Sequence, residues 1–435
     1  MKVIIVGGGF AGLNLATDLN NKPGIEVLLI DKFNYHQFQP LYYQVATAGL
    51  DASNISFPLR KHFQNSKNVR VRLADLTHIN ATANRISTTI GEFDYDALVI
   101  ATGADTNFFG NQKLTDCAYP MKTTVEALQM RYRLIQNFED ALLLLDKPNE
   151  VAKTLALVIV GGGATGVEVA GALAEMRKHV LPKDYPEIDF SLMKIYLLEG
   201  SGKLLGAMSE KSSEDAKRYL LRLGIDIKLN TIVKEYDGET VTLMDGNTIS
   251  ARTVIWAAGI RGNVPEGIDP SLIARGNRIK VDRFNQVIGS RNIYAVGDIA
   301  YMETPKYPNG HPQVANVAKN QGKLLAKNLV NSTRGREMEE FEYKDRGSMA
   351  TVGRGLAVVD LPGNRHFNGV FAWMVWMILH LFLLLGVKNK VQVFVNWIYQ
   401  YFTYDQSLRL LFKDFYRPSK KIMELRNRNS LPQKS

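Results

Sequence analysis

The feature that most constrains this chain is a duplication. Val3–Val6 is a short apolar run ending in Gly7-Gly8-Gly9-Phe10-Ala11-Gly12; helix-forming residues follow to Leu19, and a second run, Val27–Ile30, closes on Asp31. The same order returns at Leu157–Val160, Gly161-Gly162-Gly163-Ala164-Thr165-Gly166, a helix expected to about His179, and Ile195–Leu198 closing on Glu199. Strand, glycine turn, helix and strand make the βαβ unit that binds dinucleotides. The first glycine makes the tight turn, the second admits a pyrophosphate to the helix N-terminus, the third lets the helix pack closely, and the acid meets the ribose hydroxyls. The first unit therefore offers Gly7, Gly9, Phe10, Ala11, Gly12, Asp31 and the adjoining Lys32 as cofactor-binding residues. The second offers Gly161, Gly163, Thr165, Gly166 and Glu199. A carboxylate at the ribose repels a 2′-phosphate, so Glu199 favours NADH over NADPH, while Lys203 nearby in sequence works against that preference.

Three more predicted strands end in small residues: Leu98–Ile100 before Ala101-Thr102-Gly103, Val254–Trp256 before Ala257-Ala258-Gly259, and Asn292–Val296 before Gly297-Asp298. Small residues there let backbone approach a ligand closely, which adds Ala101, Thr102, Gly103, Ala258, Gly259, Gly297 and Asp298 to the cofactor-binding candidates. Thr123 with Glu126 forms a capping-box signature, predicting a linker helix between the two units. The 435 residues contain one cysteine, Cys117. That excludes an intrachain disulfide, a CxxC pair and thiolate sets for zinc or iron–sulfur clusters, so redox chemistry falls to a bound organic cofactor, and no metal site is expected. The opening MKVIIVGGG leaves no room for a signal or transit peptide, and the expected side is cytoplasmic.

A mean hydropathy of −0.12 describes a chain that sits mostly in water, but the C-terminal part departs from it. Val370–Val387 is apolar apart from His380 and small breaks, long enough as one helix, about 27 Å, to approach a bilayer's thickness. His380 there reads as a packed histidine and not a ligand. Val391, Phe394, Val395, Ile398 and Phe402 follow at helical spacing, and Leu408, Leu411, Phe412 and Phe415 form another set with Arg409, Lys413 and Arg417 opposite. Ten Lys/Arg against three acids in Gly386–Ser435 give +7 of the net +10. Amphipathic faces with basic edges, and Trp373 and Trp376 on one face, predict helices lying in a membrane interface. No nucleic-acid role is expected, since the charges edge apolar faces instead of interleaving with exposed aromatics.

The two units with Ala295-Val296-Gly297-Asp298 resemble the two-dinucleotide-domain flavoproteins. In these the first unit holds FAD and the aspartate matching Asp298 meets its ribityl chain. The lone cysteine sets aside the disulfide reductases and sulfide:quinone reductases. Longer stretches then resemble the type II NADH:quinone oxidoreductases: Phe38–Ala46, Gly163–Glu168, Trp256–Gly259, Val296–Asp298, Ala315–Gly322, and Gly386–Lys390 before an amphipathic tail. The resemblance implies FAD as cofactor, NADH as co-substrate and a membrane quinone, menaquinone or ubiquinone, reduced by two electrons without proton pumping. It also implies Glu168 as the catalytic residue beside the flavin, with Pro40, Tyr43, Gln44 and Val45 lining the ring. The quinone contacts it implies are Pro40, Tyr43, Asn316, Asn320, Gln321 and Lys388. The family's two glutamines one turn apart are here Asn316 and Asn320, each a methylene shorter.

The expected fold is α/β: two Rossmann-like domains, the FAD domain (1–122 and 276–365) interrupted by a linker helix and NADH domain (123–275), with amphipathic anchoring helices at 366–435. A monotopic enzyme on the cytoplasmic face of the cell inner membrane is implied, and a homodimer is a family expectation. The alternatives are a soluble NAD(P)H-dependent reductase of a ferredoxin or rubredoxin, and a non-catalytic NADH-sensing flavoprotein.

Overall fold

A computed structural model describes residues 1–412. Val3–Val6, Ala97–Ile100 and Leu157–Val160 are buried on both faces, and continuous apolar runs of this kind form the middle of parallel sheets covered on both sides. The first sheet has five parallel strands in the order Ile293–Ala295, Ala97–Ile100, Lys2–Val6, Glu26–Asp31, Val69–Leu73. The second has Tyr119–Pro120, Thr253–Trp256, Leu157–Val160, Ile195–Leu198, Asp226–Lys228, again all parallel. Each glycine-turn strand is thus the middle strand of five. Ile293–Ala295 joins the first sheet only after the whole second sheet has been formed, so one Rossmann-like unit interrupts the other.

The longer helices are α1 (Phe10–Asp18), α2 (Thr124–Leu142), α3 (Ala164–His179), α4 (Glu210–Arg222), α5 (Ala315–Thr333), α6 (Gly369–Leu383) and α7 (Val387–Thr403). The capping box is present at the start of α2: the Thr123 hydroxyl accepts from the Glu126 N–H at 3.1 Å and the Glu126 carboxylate from the Thr123 N–H at 2.9 Å. An antiparallel sheet of Ser348–Gly353, Leu356–Leu361 and Arg365–Asn368 lies against α3. At that crossing Gly171 is so close to the strand that a Cβ would overlap the Val352 carbonyl oxygen.

The C-terminal region differs from the sequence expectation in three ways. The apolar stretch Val370–Val387 is not one helix: α6 ends at Leu383, and α7 starts after Gly386, whose φ of 79° turns the chain. No helix among the described residues is long and apolar enough to cross a membrane. Trp376 does not face outward with Trp373; it is 1% exposed and packs near Trp397, His380 and Tyr43, because the face it occupies covers the core. Leu408, Leu411 and Phe412 form no helix: Tyr404 takes a left-handed φ of 59° that ends α7, and Arg409 folds back to pair with Asp405 and Asp184. Lys413, Phe415 and Arg417 lie outside the described residues.

Candidate functional site

The two glycine turns have the same backbone. Gly7 and Gly161 both have φ of 109°, and a Cβ on either would strike the carbonyl of the neighbouring strand's end, Ala101 or Ala257. A Cβ on Gly12 or Gly166 would overlap the carbonyl oxygen of Gly7 or Gly161. Gly9 and Gly163 instead have no heavy atom within 4 Å of where a Cβ would stand, and each caps a helix N-terminus, α1 or α3. Two of the three glycines in each turn are therefore packing devices, and the middle one faces open space at a helix end, as a pyrophosphate cradle requires.

The acids repeat as well. Asp31 accepts from the Gly8 N–H at 2.5 Å and the Phe33 N–H at 2.6 Å; Glu199 accepts from Gly162 N–H at 2.6 Å and Ser201 N–H at 2.7 Å. Burial raises Asp31 even so. Each carboxylate thus braces its own turn from below. Gly8 and Gly162, the donors, were not singled out by the fingerprint, whose three named positions skip them. Lys203, the cation that clouds the choice of nicotinamide cofactor, lies 3.3 Å from Glu210.

A cavity of about 760 Å³ runs between the turns, within the size range of cofactor sites. At one end it is lined by Gly7, Gly9, Phe10, Ala11, Asp31, Lys32 and Ala101–Gly103. Gly297, Asp298 and Pro40 lie along it, and Ala164, Thr165, Glu168 and Gly259 form the other end. Burial raises the Asp298 carboxyl, with Lys122 and Arg278 opposing. Gly12, Gly161, Gly163, Gly166, Glu199 and Ala258 stand behind this lining and do not form part of it.

Glu168, on the second turn of α3, is 9% exposed and its carboxylate accepts from the Thr351 N–H at 3.4 Å. Burial holds its carboxyl up at about 8, the Thr351 contact pulling the other way. Glu168 also lines a second cavity of about 120 Å³ on its far side, bounded by α3, the Thr351–Arg354 turn, α6 and α7. Tyr43 and Gln44 open onto that second cavity, in a chain in which the Trp397 indole donates to Gln44 and Gln44 to the Tyr43 oxygen, both at 2.7 Å.

The remaining candidates are scattered. Val45 is fully buried and lines neither cavity. Gln321, 1% exposed, accepts from the Gly297 N–H at 2.8 Å and so fixes the loop carrying Asp298. Asn316 and Asn320 are part-exposed on α5 and line neither cavity, and Lys388 is exposed on α7. His380 packs, its Nδ1 2.7 Å from the Trp376 carbonyl and its ring stacked on the Trp376 indole, but it also lines the large cavity; burial drops it to about 4, leaving it neutral. Thr351, Glu175 and Arg354 were missed. Glu175 alone had a legible signal, lying seven residues after Glu168 on one helix face.

Residues 1–322 match the family model for pyridine nucleotide-disulphide oxidoreductases, and residues 346–404 match that for the NDH2 C-terminal domain. The chain is 34% identical over 415 residues to the type II NADH:quinone oxidoreductase Ndh of Mycobacterium tuberculosis, covering 91% of this chain and 87% of that protein. With the type II NADH:quinone oxidoreductase of Haemophilus influenzae it shares 29% over 387 residues, 82% and 86% of the two chains. The fold superposes on the structure of NDH2 from Plasmodium falciparum in complex with NADH with a TM-score of 0.86, at 23% identity, over 95% of this chain and 99% of that one.

Proposed function

The chain belongs to the type II NADH:quinone oxidoreductases, and on that premise we propose that it holds FAD at the first glycine turn, oxidises NADH at the second and reduces a membrane quinone by two electrons without pumping protons. The observation that carries this reading is the cavity that joins the first glycine turn to Ala164 and Thr165 at the α3 N-terminus, with Glu168 lining both it and the second chamber. When bound, FAD supplies the redox chemistry, taking a hydride from NADH and giving two electrons to the quinone. The chain's own work is placement. Gly9 and Gly163 leave room for two pyrophosphates at the α1 and α3 N-termini, Asp31 lines the cavity where ribose hydroxyls would lie, and Glu199 braces the equivalent place at the second turn from behind the lining. With Lys203 engaged by Glu210, the second turn favours NADH over NADPH.

Residues 1–122 and 276–365 serve FAD in this reading, 123–275 serve NADH, and 366–435 bind the membrane surface, on the cytoplasmic face. Support for the last lies in α6 and α7. Their buried faces pack on the body of the protein, while Phe371, Met374, Ile378 and Phe382 on α6 and Val391, Phe394, Val395, Ile398 and Phe402 on α7 remain exposed. An apolar patch of this extent marks an interaction surface, and two helices of 15 and 17 residues bearing it suit the plane of a bilayer interface. Pro40, Tyr43, Asn316, Asn320, Gln321 and Lys388 remain the proposed quinone contacts, menaquinone or ubiquinone serving as acceptor. The assembly we propose is a homodimer.

The test is an anaerobic titration of the purified protein. NADH should bleach a flavin spectrum stoichiometrically, NADPH should do so far less readily, and a quinone analogue should restore it. Restoration only by a ferredoxin or rubredoxin would replace the quinone reading with the soluble-reductase one.

A further inference from the structure

Reduction of a quinone by NADH consumes NADH, one proton and the quinone, and yields NAD⁺ and the quinol. The hydride brings two electrons and one proton, whereas the quinol carries two added protons. One proton in every turnover must therefore come from water. Glu168 is buried, and the large cavity on one side of it is the space the cofactors would fill.

The second chamber lies on its other side. Its volume, about 120 Å³, is room for several waters. Three of its lining residues have polar atoms with no partner among the described residues: the indole N–H of Trp376, itself 1% exposed, the Arg354 Nη1 and the Gln406 Oε1. Leaving such groups dry costs about 1–3 kcal/mol each, so the chamber's chemistry calls for water. Its α3 wall carries Glu168, Glu175 and His179, spaced i, i+7, i+11 and hence on one helix face. Exposure increases along that stripe, from the buried Glu168 to the part-exposed Glu175 and His179. Glu168 and Glu175 are about 10 Å apart along the helix axis, too far for direct transfer and within reach of a short water chain.

Resting on the function proposed above, we propose that this chamber is the proton entry of the enzyme, in which Glu175 takes a proton from solvent at the His179 end and relays it through chamber water to Glu168. The groups facing Glu175 suit that duty. One of its oxygens accepts from the Arg354 N–H at 2.5 Å, and the Arg354 guanidinium is held between the rings of Tyr401 and Tyr404, 4.2 and 3.9 Å from their centroids. Tyr43 faces the chamber from the other side, and α6 contributes only Trp373, Trp376 and Met377. Burial raises the Glu175 carboxyl, with the Arg354 N–H and guanidinium opposing, which favours a proton resting there more than on an exposed glutamate.

Glu175→Gln keeps the acceptor for the Arg354 N–H and removes the proton. In stopped flow with the holoenzyme, NADH-driven bleaching should keep its wild-type rate. Quinone-driven recovery should slow about tenfold or more with an enlarged solvent deuterium effect, and Glu175→Asp should restore most of it. Wild-type recovery in Glu175→Gln overturns the relay, as does a change confined to the quinone KM, which would make the chamber a quinone site. Independently, infrared spectra of the protein without NADH or quinone should show a carboxylic-acid band lost in Glu175→Gln and retained in Glu168→Gln. No such band at any pH above the ordinary glutamate range overturns the relay even if the wild type fails with quinone, a failure that would count against the function and not against Glu175.

Discussion

Replacing Gly171 by alanine tests whether the C-terminal sheet holds the active-site glutamate in place. In the interior of a helix with room around it, glycine to alanine stabilises by about 1 kcal/mol. Here the added Cβ would overlap the Val352 carbonyl oxygen and stand 2.6 Å from its carbonyl carbon, where ordinary contact begins at 3.4 Å. The obstacle is backbone, so the strand must back away from α3 by well over 1 Å. Overpacking of that kind costs about 1–3 kcal/mol. The strand also carries the Thr351 N–H that reaches Glu168 at 3.4 Å, a contact already at the limit of hydrogen-bond length, and its loss removes about 1 kcal/mol more. The clash therefore outweighs the propensity gain, and a fall of about 2 °C in thermal midpoint is expected together with slower NADH:quinone turnover. Differential scanning calorimetry of the holoenzyme with a parallel turnover assay decides it. A variant that melts higher than the wild type, as propensity alone would have it, refutes the argument.

Gly9→Ala should fold like the wild type yet lose flavin on purification, whereas Gly12→Ala, whose Cβ overlaps the Gly7 carbonyl oxygen, should lose stability; absorbance and melting curves on the pair separate cradle from packing. Glu168 has its folded-state value raised from 4.5 to about 8, so its stabilising contribution is complete below pH 4.5 and lost as pH rises towards 8. At about 1.4 kcal/mol per unit, Glu168→Gln should remove a pH-dependent loss on the order of 5 kcal/mol, read from urea midpoints at pH 5 and pH 8; parallel pH profiles would contradict it. Phe382 and Phe402, 72% and 76% exposed, changed together to Glu should abolish flotation with anionic liposomes at an unchanged melting temperature. Asp215→Asn should destabilise by about 2 kcal/mol at pH 7, and calorimetry should find the deficit shrinking in acid. Burial pushes Asp215 up, but Asn368, His366 and Arg218 together hold it below 3.8, so its contribution is lost as pH falls through the folded value.

Both Rossmann-like units were legible because their signal is local. A buried parallel strand is an unbroken apolar run, and a glycine at φ 109° has few substitutes. The capping box of α2 was legible for the same reason. The C-terminal helices were readable as greasy segments but not in their direction. Trp373 and Trp376 look equivalent in sequence, and only tertiary packing turns the second inward against Trp397 and Tyr43. Gly171 gave no sign of its importance, since its constraint comes from a strand about 180 residues later. The bond from the Gly297 N–H to Gln321 was not legible, because an amide beside a cofactor turn suits ligand and backbone equally. The second chamber is beyond any local motif, since α3, the Thr351–Arg354 turn, α6 and α7 each supply part of its wall.

Ser212, His366 and Asp215 have the hydrogen-bond order of a nucleophilic triad, with the Ser212 hydroxyl 3.0 Å from His366 Nδ1 and His366 Nε2 3.0 Å from Asp215. The surroundings exclude that chemistry. Ser212 has no exposed surface and its hydroxyl donates to Asp360 at 2.8 Å; Asp360 also lies 3.2 Å from His366 Nδ1, so the serine proton is already committed to a carboxylate and the imidazole has a carboxylate at both nitrogens. Asp360 further accepts from the Ser209 N–H and hydroxyl at 2.7 and 2.9 Å, at the cap of α4. The cluster therefore ties α4 of the second Rossmann-like unit to the Leu356–Leu361 and Arg365–Asn368 strands. The first of those strands pairs with Ser348–Gly353, which touches Gly171, supplies the Thr351 N–H to Glu168 and leads directly into Arg354, whose N–H reaches Glu175. A polar staple on one side and a glycine contact on the other thus fix the same sheet, and the positions of both buried carboxyls on α3 depend on that sheet staying where it is.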